Sequence, residues 1–210
     1  MNRRSIVLSA SVGLVAIGLA TSLHSRGVRA RGAAIPRVGP PFPAGSIYAL
    51  GSLWTNDNGA SFRLEELAGA YLVVALIFTR CPSVCPTLVR RLRSAAEHLP
   101  EAVGSQVRFA LFSIDPAHDS VEALRAYRAE LGLDVAHFTL ARAEPDTVRE
   151  LGATLGFGFS AEAGGLPTHS KLVTLLDRAG TPLLERADLN ADPELLTRTL
   201  ERALGAEGPS

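Results

Sequence analysis

The chain contains two cysteines, and they stand four residues apart in "FTRCPSVCPT", Phe78 to Thr87. Cys81 and Cys85 are each followed by a proline. A close thiol pair can form a structural disulfide, exchange disulfides with another thiol, or bind a soft metal ion. As a staple it is weak, because cross-linking so short a loop contributes only roughly 2 kcal/mol. Two inert thiols are a poor reading as well, since an oxidising compartment would not leave so close a pair alone. Thiol–disulfide exchange and metal binding are left. The spacing is Cys-x-x-x-Cys, not the Cys-x-x-Cys of disulfide oxidoreductases. Two thiolates with one imidazole suit Cu(I), whereas zinc normally takes a fourth protein ligand. The two readings overlap, because thiols must be reduced before they bind metal.

Met1 is the only methionine, so a third soft-site ligand in the body of the chain has to be a histidine. There are five. His24 adjoins a hydrophobic N-terminal run, His98 falls late on a helix, and His137 alternates within a strand pattern as a packed residue would. His118, in "SIDPAHDS", follows a strand but sits in a polar turn. His169, in "GFGFSAEAGGLPTHSKLVTLL", follows a loop with Gly156, Gly158, Gly164 and Gly165 and directly precedes a strand. It reads either as the third ligand or as a structural loop histidine.

Positioning these residues requires an alternation of strands and helices. "YLVVALIF" (Tyr71 to Phe78) is a continuous apolar run, as expected of a strand buried on both faces, and it delivers Cys81 to the loop at its end. Leu88, Leu92, Ala95 or Ala96, and Leu99 then repeat at helical spacing, which places Cys85 near a helix start. The unpaired N–H groups there favour thiolate over thiol. "VRFALFSI" (Val107 to Ile114) is a second buried strand. Asp119 and Glu122 read as a capping box for a helix carrying Val121, Leu124, Tyr127 and Leu131. "VAHFTL" (Val135 to Leu140) reads as a short strand. Val148, Leu151 and Leu155 mark a helix ending at Gly156. "KLVTLL" and "TPLLER" form a hairpin about Asp177 to Gly180, and Asp192 and Pro193 open a last helix. Upstream, Ile47 to Thr55 and Ser61 to Arg63 are the arms of a small hairpin turning at Asn56 to Gly59. The expected class is α/β, a thioredoxin-like fold with an added N-terminal β-hairpin.

With 21 basic and 21 acidic residues the formal charge is zero, so the chain lacks the basic excess that nucleic-acid binding needs. Two cysteines in 210 residues exclude a disulfide-dense scaffold and a four-cysteine zinc site. At the N-terminus, Arg3 and Arg4 precede the uncharged stretch Ser5 to Leu23, about 28 Å long as a helix and close to a bilayer core. Residues 1–31 are therefore expected to be an export signal or membrane anchor at the periplasmic face of a bacterial inner membrane. Cleavage near Ala20 and Ser22 with release of a soluble protein is the alternative. "NRRSIV" also fits a twin-arginine signal. Residues 32–46 read as a Pro/Gly-rich linker, 47–206 as the folded domain and 207–210 as a tail.

Four blocks in order, "NDNGASFRLEELAG", "FTRCPSVCPTL", "SIDPAHDS" and "HSKLVTLLD", resemble the Sco/SenC family, thioredoxin-like copper-binding assembly factors for cytochrome c oxidase. The resemblance spans roughly Ala49 to Ala203. It implies copper, as Cu(I) and also Cu(II), on Cys81, Cys85 and His169, and an N-terminal membrane anchor. It further implies delivery of copper, or of reducing equivalents, to the dinuclear copper site of oxidase subunit II, with a copper donor protein and a thiol reductant protein as further partners. A thiol–disulfide oxidoreductase that keeps the target cysteines reduced is the alternative function. Two positions depart from the family: Ser83 and Thr168 stand where it usually has acids. Asp115 matches a family position and is also read as a turn cap. A peroxidase reading is weaker, because Thr79 stands two residues before the first cysteine where peroxiredoxins place a threonine three before.

Overall fold

The computed structural model describes residues 39–157, 173–183 and 194–205, and the backbone of residues 159–160, 168–169, 184–187 and 206. The expected export segment, the linker up to residue 38 and the tail 207–210 lie outside the described residues, as does His24.

The elements follow the alternation read from the sequence. A hairpin of β1 (Leu53–Asn56) and β2 (Ser61–Arg63) comes first. Then come β3 (Tyr71–Ile77), α1 (Val84–His98), the short α2 (Glu101–Gly104) and β4 (Val107–Ser113). These are followed by α3 (Val121–Leu131), β5 (Phe138–Arg142) and α4 (Pro145–Thr154). A two-residue ribbon, β6 (Phe159–Ser160) and β7 (Thr168–His169), precedes β8 (Val173–Leu176), β9 (Pro182–Ala187) and α5 (Leu195–Ala206).

Seven strands form one sheet in the order β2-β1-β5-β4-β3-β8-β9. The three central strands β5, β4 and β3 are mutually parallel, while β8 runs antiparallel to β3. Every residue of β3 is buried, which is why its sequence is an unbroken apolar run and not an alternating one. Leu88, Val89 and Leu92 of α1, Leu124, Tyr127 and Leu131 of α3, and Val148 and Leu151 of α4 complete one core with the sheet. The added hairpin joins the sheet edge through β1, antiparallel to β5.

Three expected boundaries move. Ile47–Leu50 is a 3-10 turn and not a hairpin arm. Ser46 caps it by accepting the Tyr48 N–H, and Gly51, at φ 64°, ends it in the left-handed region, where glycine has no steric cost. The strand expected over 135–140 starts only at Phe138, because Asp134 Oδ1 accepts the N–H groups of Ala136 and His137 and holds them in a turn. His137 is accordingly a half-exposed turn residue bonded to Asp134, not a packed one. Asp119 does not cap α3. Ser120 is the N-cap, its hydroxyl accepting the Ala123 N–H. The helix end expected at Gly156 is observed, with that residue at φ 68° just past α4.

Candidate functional site

β3 ends at Ile77 and α1 begins at Val84, so the intervening loop lies at the carboxyl edge of the parallel strands, where α/β sheets place ligands. A tight turn closes the loop, the Cys81 N–H donating to the Phe78 carbonyl at 3.2 Å. Cys81 is 7% exposed, and Cys85, in the first turn of α1, is fully buried. Neither is joined in a disulfide.

Their environments differ. The Cys85 N–H donates to Cys81 Sγ at 3.3 Å. Burial pushes the Cys81 thiol up, but the backbone N–H groups of Cys85, Ser83 and Val84 and the Cys85 thiol all bond its sulfur and bring it below the ordinary 9.0. This is the N-terminus of α1 acting as an anion site. Burial pushes the Cys85 thiol up to about 12. The Phe78 N–H works against that shift, and the charges of Cys81 and Asp119 add to it. Cys81 is thus the more acidic thiol of the pair and Cys85 the proton-holding partner.

The two residues before Cys81 are bound to the loop between β4 and α3. Thr79 donates to Asp119 from its hydroxyl at 2.6 Å and from its N–H at 3.2 Å to each carboxylate oxygen. Ser113 donates to the same carboxylate at 2.5 Å. Arg80 pairs with Asp115 through Nη2 at 2.7 Å and Nε at 3.2 Å. Asp115 also faces His118 Nδ1 at 2.7 Å. Burial opposes ionisation of Asp115, but these bonds and charges outweigh it and hold its carboxyl below the usual carboxylate range. Asp115 is therefore an ion-pair partner of the cysteine loop as well as a turn cap, its carbonyl accepting the N–H groups of His118 and Asp119.

The sequence-read ligands are only partly brought together within what the structure describes. Cys81 and Cys85 meet. His169 is placed by its backbone, in β7 opposite Phe159 of β6, and its side chain lies outside the described residues. Val173, four residues later, pairs with Ala75 as β8 runs back along β3. The chain therefore enters β8 from the edge at which β3 delivers the cysteines. His118 stands at that edge too, but its Nδ1 is engaged by Asp115 and lies 2.9 Å from Arg80 Nη2. His98 is exposed, its Nδ1 2.7 Å from the Ser94 carbonyl. Among the described residues no group of three His, Cys, Asp or Glu side chains is placed to hold a metal ion.

Two site residues escape sequence reading. Asp119 is fully buried beneath the cysteine loop; its neighbour Ser120 is an equally good cap by type, and nothing in the pattern says which of the two turns inward. Tyr127 reads simply as core. It packs on α3 with its hydroxyl buried and without a hydrogen-bond partner among the described residues, close enough to feel the charge of both cysteines.

Comparison with known proteins follows the same outline. The SCO1/SenC family profile matches residues 52–205. The SCO1 protein homolog of Bacillus subtilis is 31% identical over 78 residues, 37% of this chain and 40% of that protein. The chain spans between 27% and 40% of the length of the first curated relatives it matches. Among solved structures, the SCO1/SenC family lipoprotein of Bacillus anthracis superposes with a TM-score of 0.62 at 23% identity, over 72% of this chain and 91% of that one. Arabidopsis thaliana ScoI with copper bound gives a TM-score of 0.61 at 18% identity, over 71% of this chain and 96% of that one. These likenesses confirm the thioredoxin-like α/β fold, and the match over most of its length makes this chain a member of the SCO1/SenC family.

Proposed function

We propose that this protein is a copper metallochaperone that holds copper between Cys81, Cys85 and His169 and serves assembly of the dinuclear copper site of cytochrome c oxidase subunit II. The observation that carries the reading is the pair of sulfurs at the N-terminus of α1, the backbone N–H of Cys85 donating to the Cys81 sulfur at 3.3 Å, in a chain of the SCO1/SenC family. Copper is bound in the Arabidopsis and Bradyrhizobium japonicum ScoI structures. Two sulfurs are a soft donor set, and Cu(I) accepts the low coordination number that two thiolates and an imidazole provide. Cu(II) is the second state the site would hold. Copper is cargo here, received from a donor protein and passed on. The N-terminal segment 5–23 would tether the domain to the periplasmic face of the inner membrane.

The test is an anaerobic Cu(I) titration of the reduced full-length protein in detergent. Wild type should take one equivalent tightly, and Cys81→Ser, Cys85→Ser and His169→Ala should each lose it. Unchanged stoichiometry and affinity in His169→Ala would remove that residue from the site.

A thiol–disulfide oxidoreductase is the second reading, and the asymmetry of the pair favours it. A thiol of lowered pKa beside a partner that holds its proton is what nucleophilic attack followed by resolution requires. In this reading a thiol reductant protein recycles the pair, Cys81 and Cys85 are both needed, and His169 is not. Rates of thiol exchange toward an oxidised copper-site peptide, with and without His169, separate the two.

A further inference from the structure

Asp119 is fully buried, and a buried carboxylate is costly unless its oxygens are paired. Helix capping does not account for it, since Ser120 does that work. Among the described residues its carboxylate bonds go instead to two residues, Thr79 and Ser113. Ser113 extends the set by accepting the Asp115 N–H at 3.1 Å, and Asp115 in turn grips Arg80. The circuit therefore runs from Thr79 to Arg80 through the loop after β4. Those two residues are the central pair of the turn that Phe78 and Cys81 close. A four-residue turn has its freedom in its two central residues, and both are held from outside by carboxylates of one neighbouring loop. The Cys85 sulfur is carried by the first turn of α1, and of the turn closed by Phe78 and Cys81 it meets the Phe78 N–H and the Cys81 sulfur, not the two central residues.

We infer that Asp119, acting through Thr79, is a positioning residue that sets where the Cys81 sulfur stands relative to Cys85. Asp119 touches neither sulfur by hydrogen bond; it acts by fixing the turn. Loss of the clamp lowers the effective concentration of one sulfur at the other. Every event that needs both sulfurs at once then becomes less favourable, whether disulfide formation or binding of a shared Cu(I). The inference rests on the copper reading only for the second of these.

The experiment equilibrates full-length wild type, Thr79→Val, Thr79→Ser and Asp119→Asn with glutathione, two protein thiols and one glutathione disulfide giving the protein disulfide and two glutathione thiols. Two electrons and two protons pass to glutathione. Asp119→Asn and Thr79→Val should shift the equilibrium toward the dithiol by about tenfold, roughly 30 mV, and weaken Cu(I) binding in parallel. Thr79→Ser, which keeps the hydroxyl, should restore wild-type behaviour. An equilibrium unchanged in folded Asp119→Asn and Thr79→Val would overturn the inference. Should Asp119→Asn not fold, the contrast between Thr79→Val and Thr79→Ser decides alone. A shifted glutathione equilibrium in a protein whose wild type takes no copper would leave the clamp standing and remove the copper reading.

Discussion

The backbone N–H of Cys85 lies 3.3 Å from the sulfur of Cys81 and donates to it. One residue of the pair thereby stabilises the charge of the other while its own sulfur, buried behind, keeps its proton. Alkylation of the reduced protein with iodoacetamide should modify Cys81 first, with a pH midpoint below the ordinary thiol value, and leave Cys85 nearly inert below about pH 12. Mass mapping of the adducts across pH reads this directly, and equal labelling of both residues at pH 8 would contradict it. The stability consequence has two signs. The depressed Cys81 value adds stability above the unfolded thiol value, and that part is lost as pH falls through the folded one. The raised Cys85 value works oppositely. The unfolded chain ionises this thiol near 9.0 while the fold holds its proton to about 12, so the stability it contributes below pH 9 falls away between them.

Ser83 occupies the N-cap of α1, yet its side chain makes no capping bond; its backbone N–H serves the Cys81 sulfur instead. An acid here, as the family resemblance leads one to expect, would set a second negative charge beside the thiolate. Ser83→Asp should move the Cys81 alkylation midpoint upward and slow its labelling at pH 7. Thermal stability should rise, by up to about 1 kcal/mol, because a carboxylate at an N-cap favours the helix. A midpoint that falls or stays still would show that the side chain at 83 is too far from the sulfur to matter.

Tyr127 is 4% exposed and its hydroxyl finds no hydrogen-bond partner among the described residues. Burial pushes its proton loss far above the ordinary tyrosine range, with the charges of Cys85 and Cys81 adding to the shift. A buried, unpaired hydroxyl costs about 1–3 kcal/mol. Tyr127→Phe removes that cost and keeps the ring, so the reduced protein should gain about 1 kcal/mol in chemical denaturation. Destabilisation of similar size would mean that the hydroxyl is satisfied in solution.

Periodicity and turn chemistry made the sheet and its helices legible, because β3 and β4 are buried apolar runs and α1, α3 and α4 carry their core residues at helical spacing. The cysteine pair was legible from its position between a buried strand and a helix. The 3-10 turn at Ile47–Leu50 was not, since a short apolar run there looks like a strand until Ser46 and Gly51 are seen to bend the chain. Asp119 was hidden for a different reason. A run of Asp-Ser before a helix offers two capping residues, and only the presence of Thr79 and Ser113 beneath the loop decides that Asp119 turns inward. Such choices depend on contacts 40 residues away in sequence, which no local pattern carries.

A comparable long-range contact fixes the added hairpin. Asp57, in the turn between β1 and β2, bonds Arg128 of α3 through Nε at 2.5 Å and Nη2 at 2.9 Å, with side chains only 11% and 12% exposed. Arg128 also donates to the carbonyls of Leu133, Asp134 and Phe138, so one guanidinium joins the hairpin, the end of α3 and the start of β5. Removing Arg128 strands a nearly buried carboxylate and three carbonyls, whereas removing Asp57 leaves the arginine with those carbonyls. Arg128→Ala should therefore cost about 3 kcal/mol or more, and Asp57→Ala distinctly less. The double variant should lose less than the sum of the two, because the pair no longer leaves a partner behind. Urea denaturation of the four proteins measures the coupling directly. Additive losses would show that the hairpin is held by the β1–β5 pairing and the packing of Trp54 on Phe112, with the ion pair contributing nothing of its own.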